Sequence, residues 1–192
     1  EPGELIRIDD RGLHSAHYAE SPRKASCVFE FVYLARPDSR LSGTSVHEAR
    51  REMGRIMARE TPVEADMVIA VPTTGHSAAQ GYSEVSGIPY GDGLYKNQYV
   101  GRTFIQPSQK LRESGIRLKF NPMRHVLEGK RVVLVVESIV RGNTSRRIVE
   151  ELRRAGALEV HMRIASPPTL HPGFLGVDLR SGHGVIALTH SR

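Results

Sequence analysis

The stretch RVVLVVESIVRGNTSRR, Arg131 to Arg147, leaves this chain little freedom in what it can fold into. Val132-Val133-Leu134-Val135-Val136 is a continuous apolar run with the length and β-branching of a strand buried on both faces. Small and hydroxyl residues follow: Ser138, Gly142, Asn143, Thr144 and Ser145. Ile148, Val149, Leu152 and Ala155 then recur at helical spacing, with Gly156 placed to end the helix. Strand, small-residue loop and helix together make an anion site. Loop N–H groups and the unpaired donors of the first helical turn converge on one phosphate, favoured by the helix dipole. The loop is not a Walker loop, since no Gly-Lys-Ser/Thr follows the glycine, and it has no GxGxxG pattern.

The rest of the chain supplies a scaffold for such a loop. ELIRIDDRGLHSAHY alternates about an Asp-Asp-Arg-Gly turn and predicts a hairpin. Ser21 to Ser26 is a linker, and Cys27 to Tyr33 is an apolar-aromatic strand candidate. Ser45-Val46-His47-Glu48 predicts a capping box, Ser45 capping and Glu48 reaching back. The helix beyond it buries Val46, Ala49, Met53, Ile56 and Met57, leaving Arg50, Arg51 and Arg55 as a solvated face. Asp66 to Val71 is a second apolar strand. Pro72-Thr73-Thr74-Gly75 and a helix around Ala78, Ala79, Tyr82 and Val85 follow, a second candidate anion turn, this one carrying hydroxyls. Tyr95 to Gln109 has no clear period and bears Lys96 and Arg102, with Lys110 directly after it; a loop of that length in a compact domain is functional or disordered. Arg124 to Lys130 links into the central strand. Val160, Met162 and Ile164 alternate with His161 and Arg163 as a further strand, which Ser166-Pro167-Pro168 ends.

Composition narrows the class. The 192 residues suit one α/β domain with a sizeable core, and 39% hydrophobic with 25% charged residues is ordinary for a globular chain. No run approaches membrane-span length, Val132 to Val136 being cut by Glu137, so no span is predicted, and the start carries no basic-then-apolar leader. One cysteine permits no internal disulfide and fits a cytoplasmic setting. The net charge of +6 is spread along the chain rather than gathered on one nucleic-acid-binding face. The nine histidines show no paired metal spacing, and His76 and His171 read as surface residues.

The apolar run, an acidic residue and SIVRG-x-TSRR resemble the PRPP loop of type I phosphoribosyltransferases, in the form found in amidophosphoribosyltransferase (glutamine PRPP amidotransferase). CVFEFVYLARPDS, KNQYVGRTFIQPSQKLRESGIRLK and GALEVHMRIASPP resemble the same family in the same order. The resemblance covers residues 1 to 179. It implies a type I phosphoribosyltransferase α/β fold, a parallel sheet of about five strands flanked by helices, behind an N-terminal hairpin. Residues 1–26 would be the end of a glutaminase domain and its linker, 27–179 the phosphoribosyltransferase domain, and 180–192 an atypical tail, poorly ordered or a truncation scar. The implied reaction is that of a glycosyltransferase, which joins ammonia to PRPP, giving 5-phosphoribosylamine in the first step of purine (IMP) biosynthesis. PRPP would lie on Glu137, Ser138, Arg141, Gly142, Asn143, Thr144 and Ser145 on one side and Thr73, Thr74 and Gly75 on the other. Lys96, Tyr99 and Arg102 match the motif of a catalytic lid that closes over it, with Gln98 in place of a usual arginine. Mg²⁺ is expected with PRPP, near Thr74 and Glu137. Purine nucleotides, a separate glutaminase chain and further copies of this chain are the implied partners.

The family pattern is not kept everywhere. Two adjacent acids usually precede SIVRG; Val136 and Glu137 stand here, and valine can ligate nothing. Thr73 stands where an aspartate is usual, and Thr74 where a serine is usual. Losing one charged hydrogen bond costs about 1.5–3 kcal/mol, or about 10- to 100-fold in rate. Many bacterial members carry an iron–sulfur cluster on four cysteines. Only Cys27 matches one here and Gly173 stands at another, so no cluster is expected and Cys27 reads as a small buried hydrophobe. The alternatives to an active transferase are a non-catalytic binder of PRPP or purine nucleotides and a truncated product. A nucleic-acid-binding protein on the same fold is a weaker alternative, since no helix-turn-helix stretch is visible.

Overall fold

The computed structural model describes residues 3–20, 23, 25–99, 119–171 and 185–189. A parallel sheet forms its centre: β8 (Arg131–Val136) lies between β5 (Met67–Ala70) and β9 (Glu159–Ile164). Met67 to Ala70 pair with Val132 to Val135, and Arg131 to Val136 pair with Glu159 to Ile164. The apolar run of β8 occupies the middle position because both of its faces are covered. Val132, Leu134 and Val136 point to one side, where Ile148, Leu152, Phe120, Leu94 and Leu127 pack. Val133 and Val135 point to the other, among Met57, Ala58, Ala78, Ala79 and Tyr82. Removing each such side chain from water is worth about 1.5–3 kcal/mol.

The first of these layers holds α4 (Asn143–Arg154), short α3 (Arg124–Leu127) and an antiparallel ribbon of β6 (Leu94–Lys96) and β7 (Phe120–Pro122). The second holds α1 (Val46–Glu60) and α2 (His76–Ser86). These two helices cross closely through paired glycines. A β-carbon on Gly54 would collide with the Ala78 carbonyl oxygen, and one on Gly81 with that of Arg51. Gly87, in the left-handed conformation at φ 72°, ends α2.

The hairpin reading holds: β1 (Glu4–Asp9) pairs antiparallel with β2 (Gly12–His17), across an Asp-Asp-Arg-Gly turn. Against the expected parallel sheet of about five strands, the described residues show three, with a parallel bridge of Val68 to Tyr90 at one edge. Cys27 to Tyr33 was expected as a strand. From Val28 on it is helical instead, with a π-type turn over Glu30–Leu34 closed by the Ala35 N–H on the Glu30 carbonyl at 3.0 Å. The apolar content of this stretch did not distinguish strand from helix; the carbonyls of Phe31 and Ala35 find their partner in Arg50. Cys27, expected to be buried, is exposed and its thiol is free. The remaining short strands, β3 (Arg40–Leu41) and β4 (Thr44–Ser45), form a tight hairpin ahead of α1.

Helix α1 follows its predicted span but not its predicted faces. Val46 and Met57 are buried, whereas Ile56 is exposed. Arg50, read as solvated, is only 4% exposed. Arg51 and Arg55 instead converge on Glu84 of α2 at 2.7 and 3.2 Å, with Glu48 and Glu52 on the other side of Arg55. The capping box is half formed. Ser45 accepts from the Glu48 N–H at 3.3 Å, but the Glu48 carboxylate goes to Arg55 rather than back to the cap. On α2, Ala78, Ala79 and Tyr82 are buried and Val85 is exposed. Gly156, at φ 97°, follows the end of α4 as predicted. No described helix is long and apolar enough to cross a membrane.

Candidate active site

The two predicted anion turns come together because their strands are neighbours. Residues 71–75 leave the carboxyl end of β5, and residues 137–142 leave that of β8, the edge where α/β sheets hold their ligands. Gly75 fixes how closely the first turn approaches. A β-carbon there would lie 2.9 Å from the carbonyl oxygens of both Val135 and Val71, so only glycine lets the turn lie against β8. The Pro72–Thr73 peptide bond is cis. Gly75 then accepts the Ala79 N–H at 3.0 Å and opens α2. Beneath that first turn, Ser77 is nearly buried and meets the His47 ring at 2.9 Å, while His76 meets the Tyr90 hydroxyl at 2.7 Å. His76 is therefore a bonded, half-buried residue rather than a surface one; His171 is exposed as expected.

The second turn is shaped by Gly142, in the left-handed conformation at φ 74° as the cap of α4. Having no side chain, it leaves the first-turn donors of α4 without a side-chain cap. Arg141, Asn143 and Thr144 are exposed at this end, with Ser138 and Ser145 partly covered. The tail reaches the same turn. The Ile186 N–H donates to the Val140 carbonyl at 2.8 Å, and the Ile186 side chain lies 3.1 Å from where a Gly142 β-carbon would sit. Val185 is buried and Ile186–Leu188 form a 3₁₀ turn, so the start of this stretch of the tail is anchored where a poorly ordered segment was expected.

Lys96 and Thr73 meet across the mouth. The Lys96 ammonium donates to the Thr73 hydroxyl at 3.0 Å. The ribbon positions it, because Lys96 is the last residue of β6, in register with Phe120, and the next rung is closed by the Asn97 N–H on the Lys119 carbonyl at 2.8 Å. Tyr99 lies beyond that rung and is 100% exposed, touching none of the turn residues. Arg102 and the rest of the predicted lid, which was expected to end at Gln109, lie outside the described residues, as does Gly173.

Val136 belongs to the core. It is 4% exposed, on the α4 side of the sheet with Leu134 and Ile148. Glu137 is half-buried at the strand end. Burial pushes its carboxyl above the usual range, and the charges of Arg50 and Lys119 pull it back in part. Arg50 itself is held under the sheet by the carbonyls of Phe31 at 2.6 Å and Ala35 at 2.8 Å. Its role escaped the sequence reading, which treated the arginines of α1 as one exposed face. The signal available was Arg50 falling four residues after buried Val46.

Magnesium bound beside a substrate phosphate takes one or two carboxylates and demands octahedral oxygen geometry. On the two turns Glu137 is the one carboxylate, and its burial favours the neutral acid. Among the described residues no group of three or more His, Cys, Asp or Glu could hold a metal. The donor set, a hydroxyl shared with an ammonium and a single half-buried acid, is a poor fit to a divalent cation.

Comparison with known proteins agrees along the whole chain. Amidophosphoribosyltransferase of Mycobacterium bovis is 59% identical over 187 residues, 97% of this chain and 35% of that protein. The enzyme of the same name from Bacillus subtilis is 53% identical over 191 residues, 100% of this chain and 40% of that protein. The solved glutamine PRPP amidotransferase of B. subtilis, complexed with ADP and GMP, superposes with a TM-score of 0.82, covering 100% of this chain and 42% of that one. No family model matches. The chain spans well under half the length of these relatives. Over that span, with the central strand, both turns and the α/β layers in place, it is a member of the amidophosphoribosyltransferases, matching their phosphoribosyltransferase part.

Proposed function

We propose that this chain binds PRPP across its two turns and transfers the phosphoribosyl group to ammonia, giving 5-phosphoribosylamine and pyrophosphate. The C1–oxygen bond to pyrophosphate breaks with its electron pair leaving on oxygen. A C1–nitrogen bond forms, and the nitrogen gives up one proton. The observation that carries this reading is the adjacency of the two turns on paired strands β5 and β8, one suited to each phosphate end of a single ligand. The 137–145 turn offers backbone and hydroxyl donors to the 5′-phosphate, and the 72–75 turn, with Lys96 at its edge, faces the leaving pyrophosphate. Relatives that match this chain carry the same activity in their name. Arg102 and Tyr99 belong to the segment that would cover the ligand and exclude water from the cationic sugar. Ammonia would come from solution or from a separate glutaminase chain, and a cytoplasmic setting with several copies assembled fits this role.

Pyrophosphate release from PRPP at increasing ammonium concentration, at pH 8.5, tests the proposal. Release that saturates with PRPP and needs ammonia supports it. Folded protein that binds PRPP without turnover turns the reading into the alternative, a binder of PRPP or purine nucleotides. That alternative has its own support in Val136, whose burial in the core puts a non-ligating side chain beside Glu137.

A further inference from the structure

We infer that the site takes the pyrophosphate end of its ligand without a divalent cation, the Lys96 ammonium seated on the Thr73 hydroxyl supplying the positive charge. The inference deepens the proposed function and rests on it.

Three observations carry it. Lys96 reaches a neutral partner, Thr73, at 3.0 Å, and no carboxylate pairs with it among the described residues. A lysine placed this way has no carboxylate competing with an anion for it among the described residues. Its backbone is set by rungs on both sides of it, Tyr95 with Asn121 and Asn97 with Lys119, so the stem starts from a fixed point and its ammonium is placed by the Thr73 hydroxyl. The oxygen that a metal would want from Thr73 already accepts from that ammonium, and a divalent ion beside it would face like-charge repulsion. The acidic side of the site points the same way. Val136 offers the core a methyl surface, and Glu137 is half-buried within reach of the charge of Arg50. One monovalent cation, not a carboxylate–metal pair, thus faces the position where the negative charge of the leaving group builds.

Calorimetric titration of the whole chain with PRPP and with inorganic pyrophosphate, in Mg²⁺ and in chelator, tests it. The wild type should bind both ligands with affinities that differ by less than about threefold between the two conditions. Lys96→Met should weaken both by about 10- to 100-fold in chelator, with unchanged circular dichroism. Thr73→Asp should convert the site, binding weakly in chelator and recovering in Mg²⁺. Wild-type binding that appears only with Mg²⁺, or a Lys96→Met variant indistinguishable from wild type in chelator, overturns the inference while leaving the PRPP reading intact. Folded protein that binds neither ligand under either condition overturns both.

Discussion

Arg131 and Asp66 tie the starting ends of β8 and β5 together through two different parts of the arginine. Its backbone N–H donates to one carboxylate oxygen at 2.8 Å, and its guanidinium donates to the other at 3.0 Å. Hydrogen bonds from the side chain and backbone of Arg131 hold the Asp66 carboxyl at about 2, well below its ordinary 3.8. The folded value lies below the unfolded one. The contribution is therefore complete above the unfolded value and drains away as pH falls toward 2. Asp66→Asn should lower the urea midpoint at pH 7, and the gap to wild type should shrink steadily between pH 4 and pH 2. A gap that stays constant across that range would show that the pair does not govern the acid limb.

Gly54 and Gly81 set the distance between α1 and α2. Gly54→Ala forces a β-carbon onto backbone, which no side-chain rotation relieves, and should cost about 3 kcal/mol. Gly87→Ala has open space and loses only the left-handed cap, about 1 kcal/mol. Denaturant unfolding of the two variants should rank them in that order.

Arg50 is a buried cation whose guanidinium serves the carbonyls of Phe31 and Ala35. Arg50→Met keeps the volume of the stem but strands both carbonyls, a loss of about 2–4 kcal/mol. It also removes a charge that holds the Glu137 carboxyl down, so Glu137 should titrate at higher pH in the variant. Carbon-detected NMR of that carboxyl reads the shift directly.

Gly142 gives the 137–142 turn its left-handed residue, and its neighbour Ile186 fills the space beside it. Gly142→Ala should cost about 1–2 kcal/mol in backbone strain and weaken PRPP binding more than it lowers the melting temperature would imply. Ile186→Ala should restore part of the binding to that variant, because it removes the side chain that an added methyl would meet. Titration of the single and double variants measures the recovery.

The residues that could be read from sequence were those whose role is written in their own neighbourhood. The β8 run, the glycine of its turn and the period of α4 lie within one short stretch, and all three are found where the pattern places them. The hairpin was legible because alternation and a glycine turn are local too. The failures involve partners far along the chain. Cys27 to Tyr33 is apolar in either conformation, and its helical form is secured by Arg50, nineteen residues from Phe31. The Lys96–Thr73 contact joins two segments across twenty-three positions through the ribbon register. Val136 could be read two ways, as a core residue or as a lost ligand, and its burial satisfies both readings at once.

The β6–β7 ribbon separates two kinds of change that usually travel together. Asn97 and Lys119 are joined by one backbone rung, so they act as a pair of fixed posts. Chain strung between fixed posts can be lengthened at small entropic cost, about 0.6 kcal/mol per doubling. Descendants of this sequence can therefore rework whatever hangs there, trading one ligand preference for another, while Leu94 and Phe120 keep the sheet's packing unaltered below.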